Sequence, residues 1–277
     1  MLKARVITAL VLVALLLPAI FMTSPMVWAV LVALVMGIAA WEWGALLAFS
    51  ARARVVLGVL AALLCAGLAI LNPAVVGSEA AFQPGPTWVW VFYGAAAVLW
   101  CGVMPIWLKR QWSLGAWSGL LVGAVVLLPT WLAMVQLRML GPWAMLAVFA
   151  VVWVADIAAY FAGRAFGKHK LAPTISPGKT REGAYGACLG VVAYGLLVRH
   201  FAGIDGPPLP LWVVGLLVVT AISIIGDLFE SLLKRKAGIK DSSAILPGHG
   251  GVLDRIDSLT STLPCVALVW LLLSYSA

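Results

Sequence analysis

The sequence predicts an all-α polytopic membrane protein with about nine transmembrane helices, a cytosolic N-terminus and an external C-terminus. Three observations lead to this class. The 277-residue chain is 64% hydrophobic and 10% charged, whereas soluble domains are roughly 45–50% apolar. Nine long runs are almost free of charge, and the basic residues cluster in alternate connections between those runs. The mean hydropathy of +1.09 agrees with a chain that lies mainly in lipid.

Each predicted span is long enough to cross a hydrocarbon core of about 30 Å at about 1.5 Å per helical residue. The runs are continuous rather than alternating with a period of two, which favours helices over the strands of a membrane barrel. In chain order the predicted spans are Val6–Met22, Pro25–Phe49, Val55–Leu71, Thr87–Leu108, Leu114–Leu137, Pro142–Phe161, Ala184–Phe201, Leu211–Phe229 and Leu259–Tyr275.

The first run also fits a signal peptide, because Lys3 and Arg5 precede its apolar residues. It leads directly into the second apolar run with no polar mature domain behind it, which favours an uncleaved first helix. No soluble domain, long linker or internal repeat is evident. We therefore expect one membrane domain over residues 1–277, with N-terminal helices in 1–141 and catalytic helices and cytosolic loops in 142–277.

The distribution of basic residues predicts the orientation. Sixteen of the 18 Lys and Arg residues fall at the N-terminus or in alternate connections, and the remaining connections hold Arg138 and Arg199. Lys and Arg concentrate on the cytosolic side of membrane proteins. The net charge of +8 is thus explained by topology and by contact with anionic lipid, and no nucleic-acid partner is expected.

Acidic residues are scarce, so their positions are informative. Of the ten, Glu79 and Asp205 fall in predicted outer loops and the other eight fall on or near the cytosolic side. A carboxylate at mid-bilayer costs roughly 2.5–3.5 kcal/mol on insertion scales, which makes it functional by default. For Glu42 in the second span we favour a structural ion pair that faces the bundle. For Asp156 in the sixth span the structural and functional interpretations both stay open.

The stretch LPGHGGVLDRIDS, residues 246–258, combines a glycine loop with two acids. Asp254 and Asp257 are three residues apart and would share one face of a helix. Glycines allow backbone N–H groups to close around an anion, and adjacent carboxylates suit Mg²⁺, which completes its shell with water and substrate phosphates. Asp227 ends the preceding span and can approach the same place. The alternative is that these acids only cap the last helix or pair with basic neighbours.

A second cytosolic loop, residues 163–183, contains five basic residues. Its GKT at 178–180 is not a P-loop, because that motif needs glycine where this chain has Pro173. Proline stiffens the loop, and we expect Lys179 and Arg181 to hold phosphate oxygens.

Two blocks of the C-terminal half resemble the phosphatidate cytidylyltransferase family, whose members are also called CDP-diacylglycerol synthases. Residues 231–258 resemble the family signature, 226–231 fit the approach to it, and 156–183 resemble the block before it. The signature matches at Ser231, Lys234, Arg235, Lys240, Asp241, Pro247, His249, Gly250, Gly251, Asp254, Arg255 and Asp257. The preceding block matches at Asp156, Tyr160, Gly163, Gly167, Lys168, Ser176, Pro177, Lys179, Thr180, Glu182 and Gly183.

The resemblance implies that the chain converts CTP and phosphatidate into CDP-diacylglycerol and pyrophosphate. It also implies a homodimer that depends on Mg²⁺, lies in a bacterial-type inner (plasma) membrane and faces the cytosol with its active site. Whether a second metal ion acts stays open. The attacking phosphate is already anionic, so the chemistry needs cations and alignment rather than a general base.

Resemblance and loop chemistry together predict three sets of site residues. The metal set is Asp227, Asp254 and Asp257. The catalytic set comprises these three with Lys240, Asp241 and Arg255. The substrate-binding set is Lys179, Arg181, Ser176, Lys234, Arg235, His249, Gly250, Gly251 and Asp156. We expect His249 to contact nucleotide or phosphate rather than to act as a base.

Alternatives within the same chemistry are a CTP-dependent lipid kinase and a cytidylyltransferase for another lipid phosphate. A transporter would place charges at the bilayer midplane and interrupt its helices in repeated halves, and the sequence has neither feature. An enzyme that consumes CDP-lipids would need a longer Asp-rich motif with another spacing.

Overall fold

The computed structural model describes residues 2–77, 86–204 and 206–276. Glu79 and Asp205 lie outside the described residues. Within the described ranges nine helical segments are long and apolar enough to cross a membrane, and each coincides with one predicted run. This confirms the prediction of an all-α polytopic membrane protein.

The helices are α1 (Leu2–Met22), α2 (Pro25–Leu46), α3 (Ala51–Leu71), α4 (Pro73–Val76), α5 (Thr87–Ala97), α6 (Met104–Arg110), α7 (Ala116–Arg138), α8 (Pro142–Phe166), α9 (Arg181–Phe201), α10 (Leu209–Lys236) and α11 (Leu253–Ser276). A π-helical segment, Val98–Val103, joins α5 to α6 and makes them one span. Between α8 and α9 the chain forms a hairpin of β1 (Lys170–Ala172) and β2 (Ser176–Thr180).

Several helices extend beyond the apolar runs that predicted them. The last helix begins at Leu253, six residues before the apolar run, so Asp254 and Asp257 lie within its first turns, as their shared helix face required. Likewise, α10 continues past Phe229 to Lys236. A helix satisfies its own backbone hydrogen bonds wherever it runs, so it can continue into the polar interface after the apolar pattern ends.

The β-hairpin was not predicted, because strands of three and five residues give no clear periodic signal. It is antiparallel, with Lys170 opposite Thr180. The hydroxyl of Thr180 accepts a hydrogen bond of 3.1 Å from the N–H of Gly183 and caps α9. The carboxylate of Glu182 accepts hydrogen bonds from the backbone of residues 168 and 169. These contacts fix the hairpin against the start of α9.

The core lies between α2, α7 and α11, the three most buried of the spans found in the described residues. Small residues let these helices approach, as the glycine spacing in α7 indicates. Gly123 packs against the indole of Trp43, whose Nε1 donates a hydrogen bond of 2.9 Å to the carbonyl oxygen of Gly119. Gly226 of α10 lies directly against Ser261 and the backbone of α11. This last contact brings the neighbouring Asp227 close to α11.

Successive spans alternate in direction, so the β-hairpin, the end of α10 and the start of α11 lie at one end of the bundle, here called the hairpin end. Side-chain contacts connect its parts. Gln111 donates a hydrogen bond of 2.8 Å to Thr174 in the hairpin, and Lys236 donates one of 3.1 Å to Ser113. The predicted site residues belong to this end.

Candidate active site

A cleft of about 390 Å³ opens at the hairpin end between α8, the β-hairpin, α9 and α10. The polar side chains that line it include Asp156, Tyr160, Arg164, Lys179, Asp227 and Ser258, and alanine side chains of α8 and α9 form much of the rest. The combination of charged groups with an apolar wall inside the membrane-spanning helices suits a molecule with a charged head and an apolar body.

Lys179 and Asp227 form an ion pair across this cleft, which joins strand β2 to helix α10. Their side chains remain 28% and 25% exposed, so both are accessible to a ligand in the cleft. Ser231, one turn further along α10, contacts the other carboxylate oxygen of Asp227 at 3.3 Å. The ammonium of Lys179 thus neutralises the carboxylate of Asp227, at a position that a bound cation would also suit.

Two further acids lie near this ion pair. Asp156 of α8 and Asp257 of α11 each interact electrostatically with Asp227 and with Lys179. Within the chain, Asp257 Oδ1 accepts a hydrogen bond of 2.7 Å from the N–H of Ser258. Carboxylates at such positions repel one another unless cations lie between them. The arrangement therefore favours a bound cation or basic groups of the chain.

Asp254 belongs to a separate, adjoining network and is almost fully buried. Its Oδ2 accepts hydrogen bonds from the hydroxyl and the N–H of Ser242, both at 2.9 Å, and from the N–H of Gly251 at 2.7 Å. Its Oδ1 accepts one of 2.6 Å from Lys234, whose ammonium also contacts Glu230 at 3.0 Å. In this structure Asp254 anchors the glycine loop to α10 and α11.

The glycine loop adopts the backbone conformations that the sequence led us to expect. Gly248 and Gly250 have φ angles of 76° and 80°, a region that side chains with a Cβ rarely adopt. The loop closes through a hydrogen bond of 2.8 Å from the N–H of Leu246 to the carbonyl oxygen of Gly250. The Nδ1 atom of His249 is buried and has no hydrogen-bond partner among the described residues. An unpartnered buried nitrogen is consistent with a ligand contact at His249.

The structure does not bring all the predicted residues into the cleft. Arg181, Arg235, Lys240, Asp241 and Arg255 are exposed around it. Arg235 donates a hydrogen bond of 3.4 Å to the backbone of residue 175 in the hairpin. Arg255 interacts electrostatically with residue 156.

Ser176 begins β2 and is partly exposed. Lys234 is mostly buried in the Asp254 network, and Gly250 lies beside both Asp254 and Asp241. The predicted residues thus form a cleft group, a loop group and an exposed rim at the same end of the bundle.

The donor set of the cleft fits Mg²⁺ in part. Carboxylate oxygens are the ligands that this ion prefers, and it usually takes one or two of them together with water and substrate phosphates. Among the described residues no three acids, histidines or cysteines lie close enough together to hold an ion by themselves. Asp227 and Asp257 fit a site that substrate phosphates complete. Asp254 would ligate directly only if Lys234 moved away from it.

Sequence reasoning placed Glu42 in the bundle interior, as observed, but expected an ion pair. Its carboxylate instead accepts hydrogen bonds from Ser242, Ser243 and the backbone N–H groups of residues 252 and 253. The sequence signal for a buried acid at position 42 was its place between two Trp residues in an apolar run. Nothing local in the sequence identified the partners, which lie about 200 residues away along the chain.

Comparison with known proteins agrees with the resemblance that the sequence motifs show. The family model described as the cytidylyltransferase family matches residues 3–273. The phosphatidate cytidylyltransferase of Pseudomonas aeruginosa is 41% identical over 98% of this chain and 97% of its own length. That of Haemophilus influenzae is 33% identical over 95% of this chain and 96% of its own length. The protein of the same name from Brucella suis is 53% identical over 41% of this chain and 42% of its own length.

Proposed function

Because the chain belongs to the cytidylyltransferase family, we propose that it transfers the CMP group of CTP to phosphatidate, which yields CDP-diacylglycerol and pyrophosphate. The product is a precursor for phospholipid biosynthesis. The structural observation that supports this most is the cleft in which Lys179, Asp227 and Asp156 meet an alanine-rich wall. An amphiphilic phosphate has a charged head and an apolar body, and the cleft offers a surface for each.

In this reaction a phosphate oxygen of phosphatidate attacks the α-phosphorus of CTP. A new phosphorus–oxygen bond forms, and the bond from the α-phosphorus to the bridging oxygen of the β-phosphate breaks and releases pyrophosphate. The attacking oxygen carries no proton that must be removed, so no side chain needs to act as a general base. The chain has to bring two polyanions together and align them in line. Lys179 and the exposed Arg181 supply positive charge at the cleft and its rim.

We further propose Asp227 and Asp257 as the carboxylates that hold Mg²⁺, with Asp254 as the third member of the set. The bound ion would neutralise the phosphates of CTP, and a second ion is not required by the donor set. Lys234, Arg235, Ser176, His249, Gly250 and Gly251 remain proposed contacts for the nucleotide and its phosphates. Lys240, Asp241 and Arg255 remain proposed catalytic residues at the rim.

Product analysis tests the proposed function. Purified protein in detergent or nanodiscs is incubated with phosphatidate, Mg²⁺ and CTP labelled at the α- or the γ-phosphate. We expect the α-label in the lipid and the γ-label in pyrophosphate. A γ-label in the lipid would identify a lipid kinase instead. Preference for another lipid phosphate in a parallel incubation would identify a cytidylyltransferase of different substrate class.

We also propose that the hairpin end faces the cytosol in a bacterial inner membrane, with the N-terminus inside and the C-terminus outside. The 16 of 18 basic residues on that side support this orientation, and CTP is a cytosolic substrate. The family resemblance supports a homodimer, which cross-linking in native membranes would test.

Cysteine labelling checks the orientation. In a background that lacks the four native cysteines, single cysteines replace Lys170 in the hairpin and Ala202 at the end of α9, both of which are exposed. A membrane-impermeant maleimide added to intact spheroplasts should label Ala202→Cys and not Lys170→Cys, and permeabilisation should expose the second. The reverse pattern would invert the proposed orientation.

A further inference from the structure

The carboxylate of Glu42 is completely buried at the hairpin end of α2, in the N-terminal half of the chain. Its Oε1 accepts hydrogen bonds of 2.6 Å from the Ser243 hydroxyl and 3.0 Å from the N–H of Val252. Its Oε2 accepts one of 2.6 Å from the N–H of Leu253 and contacts the Ser242 hydroxyl at 3.2 Å. One side chain therefore binds both ends of the segment 242–253, which contains the glycine loop.

Burial of a carboxylate without hydrogen-bond partners would be strongly unfavourable, so the buried Glu42 carboxylate requires these four donors. Two of them are backbone N–H groups at the start of α11, where a negative charge also interacts favourably with the helix dipole. Hydrogen bonds to a charged acceptor are stronger than those between neutral groups. Glu42 thereby accepts hydrogen bonds at the N-terminus of α11.

The glycine at position 251 follows from the same arrangement. A Cβ atom at Gly251 would overlap both Glu42 Oε1 and Ser242 Oγ, so the loop can close on Glu42 only if this residue has no side chain. The Ser242 hydroxyl lies between Glu42 and Asp254, 3.2 Å from the first carboxylate and 2.9 Å from the second. Glu42 is thus linked through one residue to a predicted site residue.

The first helix contacts the other side of the same loop. The hydroxyl of Thr8 donates a hydrogen bond of 2.9 Å to the carbonyl oxygen of Pro247. The side chain of Arg5 lies against Gly248, where a Cβ atom would be 3.0 Å from Arg5 Cγ. Two separate helices of the N-terminal half therefore hold the loop, one at its tip and one at its base.

We propose that Glu42 is a positioning residue for the transfer reaction, and the proposal rests on the function given above. It acts by holding the glycine loop and the first turn of α11 in the arrangement that presents His249, Asp254 and Asp257 to CTP. The N-terminal half thus has a role in the reaction beyond that of a membrane anchor.

The test compares Glu42→Gln with wild type and with Tyr93→Phe. Gln has nearly the same shape, but it replaces one acceptor oxygen with an NH₂ group that faces two donors. Tyr93→Phe removes a buried hydrogen bond of 2.8 Å between Tyr93 and Gln136 toward the opposite end of the bundle, so it serves as a matched control. After correction for the folded fraction, kcat/KM for CTP should fall at least about tenfold in Glu42→Gln and less than about twofold in Tyr93→Phe.

Hydrogen exchange supplies a readout that does not depend on activity. The amides of Val252 and Leu253 should exchange faster in Glu42→Gln than in wild type, and Tyr93→Phe should leave them unchanged. Glu42→Asp keeps the charge with a shorter reach and should restore part of kcat/KM. If Glu42→Gln does not fold, Glu42→Asp and Ser243→Ala test the proposal instead. Each of them weakens the hydrogen bonds between residue 42 and the loop segment while the buried charge is kept.

Kinetics within twofold of wild type together with unchanged exchange in these variants would overturn the positioning role. Loss of folded protein with normal CTP kinetics in the folded remainder would show that Glu42 is only structural, which also overturns it. If the wild-type protein forms no CDP-diacylglycerol, the proposed function fails, whereas the exchange data still report on whether Glu42 holds the loop.

Discussion

Asp257→Asn should lower the rate of CMP transfer by at least about 1000-fold, or about 4 kcal/mol of transition-state stabilisation. Asp257 lies at the junction of the two networks, since it interacts electrostatically with Asp227 and Asp156 in the cleft and with Glu230 behind it. Within the described ranges, the hydrogen bond from Ser258 engages one of its carboxylate oxygens. The other is available to a cation or to its bound water, and an amide cannot replace the lost charge.

The measurement is the initial rate in nanodiscs as a function of Mg²⁺ concentration, together with Mg²⁺-dependent binding of CTP. Thermal unfolding is the control, and we expect the midpoint to remain close to that of wild type because Asn preserves the shape and the contact with Ser258. A folded Asp257→Asn enzyme whose rate and Mg²⁺ dependence match wild type would remove Asp257 from the proposed metal site.

Asp254→Asn should reduce the rate by at least about 100-fold and should also destabilise the protein, which distinguishes it from Asp257→Asn. Lys234 is only 13% exposed and shares its ammonium between Asp254 and Glu230. Removal of one partner from an isolated buried ion pair costs about 3–5 kcal/mol, and here Glu230 still compensates part of the Lys234 charge. The amide would also place a donor toward Lys234, Ser242 or Gly251, all of which are themselves donors.

A double-mutant cycle separates the structural part of this effect from the chemical part. Lys234→Gln, alone and combined with Asp254→Asn, is compared by thermal unfolding and by kcat/KM. If Asp254 acts only as an anchor, the double variant should recover much of the stability and reach the rate of Lys234→Gln alone. If its charge is needed by Mg²⁺ or CTP, stability recovers while the rate stays well below that of Lys234→Gln alone. Full activity of Asp254→Asn together with wild-type thermal stability would exclude both roles.

The family could be predicted from the sequence because the C-terminal half contains many motif residues at fixed spacing, and the comparisons confirm the family. The geometry of the site could be predicted only in outline. Asp254 and Asp257 were expected to act together on one helix face, and the structure instead directs Asp254 to the glycine loop and Asp257 to the cleft acids. Helical spacing limits which direction a side chain takes, but the partner it meets there belongs to another element.

The sequence by itself determined which segments cross the membrane. The length of an apolar run and the transfer free energies of its residues decide whether it enters lipid. It also indicated glycine conformations at positions 248 and 250, since a positive φ angle is a local property of the backbone. Only the tertiary structure decided the partners of the buried charges: Lys179 with Asp227, Lys234 with Asp254, and Glu42 with the loop at 242–253. A buried carboxylate requires donors but does not specify them, and they come from whichever helices pack against it.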